Sequence, residues 1–294
     1  SFRYEVREKV PPISTPTEPE AAGAWYASGD VKTGDVATAP VFGKATITNT
    51  LKGQIQVTGT KIWKDEDRTS RPSDITLTLY RWSDRSSEVN REKVTTANVP
   101  AMTLTWDKAN SNEWKYTYSN LPQFDSYGAL YHYKVEETTP AHYRTEYKDA
   151  LGREIHNLGL VTLHVEKKWE TEDSAQKEIT VGIYRTTDLT IPADSSKDGT
   201  GSSVLIGQIT LNSGNDWKWS GDSLNGTPFD QRTYGAAEEK PYLYYARELQ
   251  IGSTGVPAGK AGRLVEADGY RYAVKEEMTP SALTAGQAVP DSMT

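Results

Sequence analysis

Three short segments of this chain place a lysine, a carboxylic acid and an asparagine where a single apolar interior would collect them. In Val57-Thr-Gly59-Thr-Lys61-Ile-Trp63 an extended backbone sends Val57, Gly59, Lys61 and Trp63 to one face and Thr58, Thr60 and Ile62 to the other. If Trp63 faces a core, Lys61 faces it too. The same parity groups Tyr133, Val135 and Glu137, and it groups Ile155 with Asn157. An uncompensated buried ammonium is costly, and the usual relief is a shifted pKa. Desolvation lowers the pKa of a lysine and raises that of a glutamic acid, so a neutral amine can stand beside a protonated acid. A neutral lysine amine is a nucleophile. An acid next to it can polarise an asparagine carbonyl and carry protons. The product is a Lys–Asn amide with release of ammonia, and a fold that holds the partners together makes the step effectively unimolecular.

The elements that must position these groups read as strands. Ile55 to Trp63, Ile75-Thr-Leu77-Thr-Leu79 and Trp114-Lys-Tyr116-Thr-Tyr118 alternate with period two. Polar turn-rich stretches separate them, among them the run from Asp65 to Pro72 and Ala109-Asn-Ser-Asn112. No convincing amphipathic helix longer than two turns occurs. The expectation is an all-β chain of antiparallel sandwiches.

The chain also repeats itself. Val57 to Trp63 returns as Leu163-His-Val-Glu-Lys167-Lys-Trp169, and Ile75 to Tyr80 returns as Ile179-Thr-Val-Gly-Ile-Tyr184. Leu104-Thr-Trp106 and Trp114-Lys-Tyr116 return as Ile209-Thr-Leu211 and Trp217-Lys-Trp219, and Tyr133-Lys-Val-Glu-Glu137 returns as Tyr272-Ala-Val-Lys-Glu276. A further copy of the last landmark, Tyr4-Glu-Val-Arg-Glu8, precedes Ile47-Thr-Asn49, which matches Ile155-His-Asn157. The expected organisation is therefore the C-terminal part of a preceding repeat at 1–50, a complete repeat at 51–159, and a second repeat at 160–294. That last repeat has an enlarged loop region between about 225 and 265 and lacks the Ile-x-Asn strand. The phase suggests a segment cut at both ends from a longer array.

Composition narrows the function. Lysine and arginine total 33 against 40 aspartates and glutamates in 294 residues, a net charge of −7. That balance argues against gripping nucleic acid or anionic lipid through bulk charge. There is no cysteine, which removes disulfides, thiol nucleophiles and thiolate metal sites together. The four histidines, His132, His142, His156 and His164, fall in no metal-ligand spacing, and Asp65-Glu66-Asp67 reads as a solvated turn rather than a calcium loop. No metal and no cofactor is expected. Seventeen tyrosines and eight tryptophans against four phenylalanines suit half-buried strands. No apolar run approaches the ~18 residues of a membrane span.

Taken in order, Lys61-x-Trp63, Arg71-Pro72-Ser-Asp-Ile-Thr-Leu77, Trp114-Lys-Tyr-Thr-Tyr-Ser-Asn-Leu-Pro122, Tyr133-x-Val-x-Glu137 and Ile155-x-Asn157 closely resemble the collagen-adhesin B-type (Cna-B) domain. The resemblance covers essentially all of 51–159, the ends of 160–280 better than its middle, and two short strands within 1–50. It implies tandem immunoglobulin-like sandwiches, extracellular and on the surface of Gram-positive bacteria, in stalks or pilin shafts attached to the cell wall through regions outside this segment. It also implies the autocatalytic Lys–Asn bond under an acidic residue. Carried over, Lys61 is the nucleophile, Asn157 its partner and Glu137 the acid. Glu136 is a rival for that role, since counting back from Pro140 and Pro280 equates it with Glu276. In the next repeat Lys167 and Glu276 fit, without an asparagine in the expected closing strand; Glu8 and Asn49 fit the acid and acceptor of the preceding repeat. The partners implied are neighbouring repeats of the same polypeptide or pilus subunits. The alternative makes the enlarged last repeat an adhesive module for a host surface protein or glycan, using Trp217 and Trp219 with Tyr242, Tyr244 and Tyr245. A turnover enzyme is not expected, because the one reactive amine is consumed in a single event.

Overall fold

Alternating β-branched and aromatic residues leave one face of each segment apolar, so the segments pair into sheets that cover one another. The computed structural model describes residues 25–28, 49–66, 68, 71–188, 190–260 and 262–276. Within them the chain consists of strands joined by turns and short 3-10 segments, with no α-helix. The strands are β1 (Trp25–Ser28), β2 (Asn49–Lys52), β3 (Gln54–Lys64), β4 (Leu77–Ser83), β5 (Glu92–Lys93), β6 (Thr103–Asn110), β7 (Glu113–Pro122), β8 (Tyr131–Glu137), β9 (Tyr143–Tyr147) and β10 (Glu154–Gly159). They continue with β11 (Leu163–Glu166), β12 (Ile179–Thr186), β13 (Val204–Leu211), β14 (Lys218–Gly221), β15 (Ser223–Leu224), β16 (Thr227–Pro228), β17 (Leu243–Ile251), β18 (Thr254–Gly255), β19 (Arg263–Ala267) and β20 (Tyr270–Val274). The chain divides into two compact units, one of Ser1–Ile62, Thr76–Thr138 and Tyr147–Ile155, the other of Trp63–Ile75, Thr139–Glu146 and His156–Thr294.

In the first unit β3 pairs antiparallel with β7, setting Val57 opposite Tyr118, Gly59 opposite Tyr116 and Lys61 opposite Trp114. These strands belong to a five-stranded sheet of order β6-β7-β3-β10-β9, and a three-stranded sheet has the order β5-β4-β8. Val57, Tyr116, Tyr118, Leu121 and Ile155 from the larger sheet pack with Leu79, Tyr133 and Val135 from the smaller one, so the core is that of an immunoglobulin-like β-sandwich. Along β3 the buried residues are Val57, Lys61 and Trp63, the parity expected from the sequence. Gly59 shares that face because Tyr116 crosses it. A Cβ there would overlap the Tyr116 hydroxyl and lie 2.6 Å from the Arg153 carbonyl oxygen, which accepts a 2.7 Å bond from the Thr60 N–H.

The second unit is built around a four-stranded sheet of order β13-β12-β17-β18, with β11 paired to β14 and β19 to β20. Its core gathers Leu163, Val165, Ile179, Val181, Ile183, Ile209, Leu211, Phe229 and Ile251. Trp169, Trp217, Trp219 and Tyr242 pack against that core. Edge-on ring contacts join Trp169 to Trp217 at 5.5 Å and Trp219 to Phe229 at 6.2 Å, while Tyr184 stacks on Tyr245 at 5.2 Å. The rings considered for a binding surface thus serve packing, and Tyr244 and Tyr245 are buried outright.

Candidate functional site

The lysine of the Lys-x-Trp strand lies wholly inside the first unit. Lys61 on β3 has no exposed surface, and its Nζ donates to Glu137 Oε2 at 3.0 Å, both side chains being fully buried. The acid reaches this point through strand register. β8 pairs with β4 so that Tyr133 faces Arg81, Val135 faces Leu79 and Glu137 faces Leu77. Tyr133 and Val135 fill the core, and the pleat carries Glu137 inward with them. Glu136 points the other way, accepts from Arg91 Nη2 at 2.8 Å and is 31% exposed. The geometry therefore brings Glu137, and not its rival, to the lysine.

Burial holds the Lys61 amine well below its ordinary value, from 10.5 to about 8, although the attraction and hydrogen bond of Glu137 pull it upward. With a pKa of about 8, about one amine in ten is unprotonated near pH 7, against fewer than one in a thousand for an ordinary lysine. The same shift fixes a pH dependence. Between pH 8 and 10.5 the unfolded chain holds a proton on Lys61 that the folded chain has released, so stability rises with pH across that window and the gain is lost as pH falls through 8. In an Asn157→Ala chain, which cannot form the amide, the urea midpoint is expected to climb over this range by an equivalent of about 3 kcal/mol. An Asn157→Ala chain that also carries Lys61→Met should lack that climb.

Asn157 lies in the second unit, on β10, and is likewise without exposed surface. Its side-chain oxygen accepts from Thr145 Oγ1 on β9 at 3.1 Å, and the Thr145 hydroxyl is 2.9 Å from that of Thr139. The carboxamide is therefore held in one orientation. Thr145 was not among the residues expected from the sequence, and no spacing distinguishes it from the other threonines on strand faces. Nearby, Trp63 meets the edge of Tyr143 at 5.0 Å, and the Tyr143 hydroxyl donates to Asp65 Oδ2 at 2.7 Å. Asp65 also accepts from Arg71 Nε and Nη2, so its carboxylate is spent on Arg71 and Tyr143.

The second lysine has a different acid from the one expected. Lys167 Nζ donates to Glu248 Oε2 at 2.8 Å, and its ammonium lies 4.4 Å from the Trp169 ring centre. Glu276 instead accepts from Arg247 Nη1 at 3.0 Å and Arg263 Nη2 at 2.9 Å, and its Oε1 also takes the Glu248 N–H at 3.1 Å. The reason is again register. β17 runs against β12 with Tyr244 opposite Arg185, Ala246 opposite Ile183 and Glu248 opposite Val181, repeating the relation of β8 to β4. Tyr244-Tyr-Ala-Arg-Glu248 therefore occupies the place assigned to the strand ending in Glu276, and alanine in place of valine hid it from motif reading. Lys167, Glu248 and Glu276 line a cavity of about 460 Å³ together with Trp169, Leu211 and Tyr272. Among the described residues β11 has only β14 beside it in its sheet, where β3 has β7 and β10. No asparagine lines this cavity.

The remaining expected pair belongs to the N-terminal segment. Glu8 lies outside the described residues. Asn49 opens β2, where its backbone is paired with Ser28 of β1. Among the described residues no group of histidine and carboxylate side chains is arranged to hold a metal ion, and no helix is long and apolar enough to cross a membrane.

Comparison with known proteins bears on the same stretch. Residues 57–158 match the family model of the Cna protein B-type domain. A collagen adhesin from Staphylococcus aureus is 25% identical over 181 residues, which is 60% of this chain and 13% of the adhesin. The chain thus spans a small part of that relative. Among solved structures, a single B repeat unit (B1) of the collagen binding surface protein Cna of Staphylococcus aureus aligns with 70% of this chain and 93% of its own length, at 21% identity and a TM-score of 0.24.

Proposed function

We propose, from the match of residues 57–158 to the Cna protein B-type domain model, that this chain is a stalk-like segment of a bacterial surface adhesin, stiffened by an amide between Lys61 and Asn157 that forms without an enzyme. The observation that carries the reading is the fully buried Lys61–Glu137 pair at 3.0 Å. A lysine in a sandwich core calls for a reason, since well-packed apolar side chains of similar volume are often as stable or more so, and the amide supplies one. Asn157, equally buried, sits on β10, the strand beside β3 in sheet order.

The chemistry follows from these groups. The neutral Nζ of Lys61 attacks Cγ of Asn157, and the bond that forms is Nζ–Cγ. Glu137, protonated, donates to the developing oxyanion and then passes the proton lost by Nζ to the amide nitrogen. The Cγ–Nδ2 bond breaks and ammonia leaves. Thr145, bonded to the carboxamide oxygen, supplies a second donor to the same atom. The core excludes water, which protects the tetrahedral species from competing hydrolysis.

The amide links β3, near the start of the domain, to β10 at its end, so a pull along the chain is borne by covalent bonds instead of by the ladder between strands. We read 51–159 as the crosslinked repeat and 160–294 as a second repeat of the same kind, with neighbouring repeats as its partners and the outside of the cell as its place. No adhesive ligand site is assigned to the second repeat, since its aromatic rings are engaged in its core. The reading is tested by intact mass. The purified chain is expected to be lighter than its sequence by one ammonia, and Asn157→Ala is expected to have its full mass. A wild-type chain at full mass would falsify the proposal.

A further inference from the structure

Downstream of both reacting residues, the segment 229–241 folds back onto the ends of the two strands that carry them. Tyr234 Oη donates to the Lys64 carbonyl oxygen at 3.0 Å and to the Gly159 carbonyl oxygen at 3.1 Å. Lys64 is the last residue of β3 and Gly159 the last of β10, so one hydroxyl bridges the lysine strand and the asparagine strand. Gln231 makes a second bridge. Its Oε1 accepts from the Glu66 N–H at 2.9 Å, just past β3, while its Nε2 donates to Leu160 O at 3.3 Å and its N–H to Gly159 O at 3.0 Å, both at the exit of β10.

The approach is close: a Cβ at position 159 would lie 2.5 Å from Gln231 Oε1, so a larger residue there would push the Gln231 amide aside. Ion pairs surround the two bridges. Lys64 pairs with Glu239 at 2.9 Å, Arg232 with Glu66, and Arg144 at the head of β9 with both oxygens of Asp230, at 2.6 and 3.0 Å. Gln231 is only 8% exposed, and burial raises the Tyr234 phenol far above its usual range, as expected for hydroxyl and amide groups held in place of water.

Resting on the amide reading above, we propose that residues 229–241 are an assembly strap, in which Tyr234 and Gln231 act as positioning residues that fix the separation of the lysine and asparagine strands while the amide forms. Neither residue touches the reacting atoms. Their leverage comes from distance: attack requires the amine within about 3–3.5 Å of the carbonyl carbon, and a misplacement of 1 Å can cost about a hundredfold in rate. The strap is made after Asn157 during synthesis, so crosslinking of the upstream repeat waits on folding of sequence that follows it.

The test uses the full chain, made by cell-free synthesis and sampled over time for the fraction that has lost ammonia. Tyr234→Phe removes the shared hydroxyl, and the rate is expected to fall about threefold; adding Gln231→Ala should bring the fall to about tenfold or more. The final yield should remain complete, and the pH at which the rate is half-maximal should not move, because the ionisation of Lys61 is untouched. Tyr272→Phe is the control. It deletes a buried hydroxyl that donates to Ala175 O at 2.7 Å, away from either strand end, and should leave the rate unchanged. A double variant as fast as wild type, or a control as slow as the double variant, overturns the strap alone. A wild-type chain that keeps its full mass overturns the amide reading and the strap with it.

Discussion

Glu137→Ala is expected to give a chain of full, uncrosslinked mass that is the least stable of the single variants at this site. Without the acid the oxyanion keeps only the Thr145 hydroxyl as donor and the proton has no carrier, so Lys61 and Asn157 remain unreacted. The lysine is then left in a fully buried position without its carboxylate partner at 3.0 Å. Removing one member of a buried ion pair typically costs about 3–5 kcal/mol. Neutralising the amine instead leads to a similar figure, since lowering a lysine from its ordinary value to pH 7 costs about 5 kcal/mol. Glu137→Ala with Lys61→Met should recover most of that loss, because the apolar chain of methionine suits the core. Urea unfolding of the two variants measures the difference. Equal midpoints would mean that the lysine is not stranded by loss of the acid.

Lys61→Met by itself isolates the value of the covalent bond. It abolishes the ammonia deficit, and the buried Glu137 left beside position 61 is relieved by taking up a proton. By analogy with a disulfide, a crosslink that closes a loop of ~100 residues constrains the unfolded chain by about 4.7 kcal/mol in the entropy model. The variant is therefore expected to unfold at lower denaturant by an amount of that order, and to become a substrate for proteases that the wild type resists. Mechanical readout should be sharper still. Under load, the wild-type segment between positions 61 and 157 cannot extend, whereas in Lys61→Met it contributes its full contour length. A variant that unfolds at the wild-type midpoint would show that no bond of this kind stabilises the native chain.

Much of this arrangement was legible in the sequence, for a definite reason. Period two is a strong constraint, and a tryptophan two residues from a lysine fixes the face of both once one of them is known to be buried. Parity also favoured Glu137 over Glu136, and the β4–β8 register places them as parity required. What remained hidden depended on contacts between distant segments. Glu248 could not be found by motif, because Ala246 of β17 stands where β8 has Val135 and because a better copy of the motif lies further on at Tyr272 to Glu276. Only the pairing of β17 with β12 distinguishes them. Thr145 and the bridges from Gln231 and Tyr234 carry no local signal, since threonine, glutamine and tyrosine are ordinary on strands and loops. The aromatic residues of the second unit are ambiguous in sequence between core and binding surface; their ring contacts place them in and against the core.

The second lysine sharpens what the first requires. Lys167 has an acid at 2.8 Å and an aromatic neighbour, yet no asparagine lines the cavity beside it. No amide is therefore expected at Lys167, and the expected mass deficit is one ammonia and not two.

Tandem mass spectrometry of a tryptic digest reads the Lys61–Asn157 link itself. A branched species is expected in which residues 53–64 are joined to residues 154–167 through Lys61 and Asn157, at the summed peptide mass less one ammonia. Recovery of the two peptides as separate linear species, or of Lys61 joined to any residue other than Asn157, would contradict it.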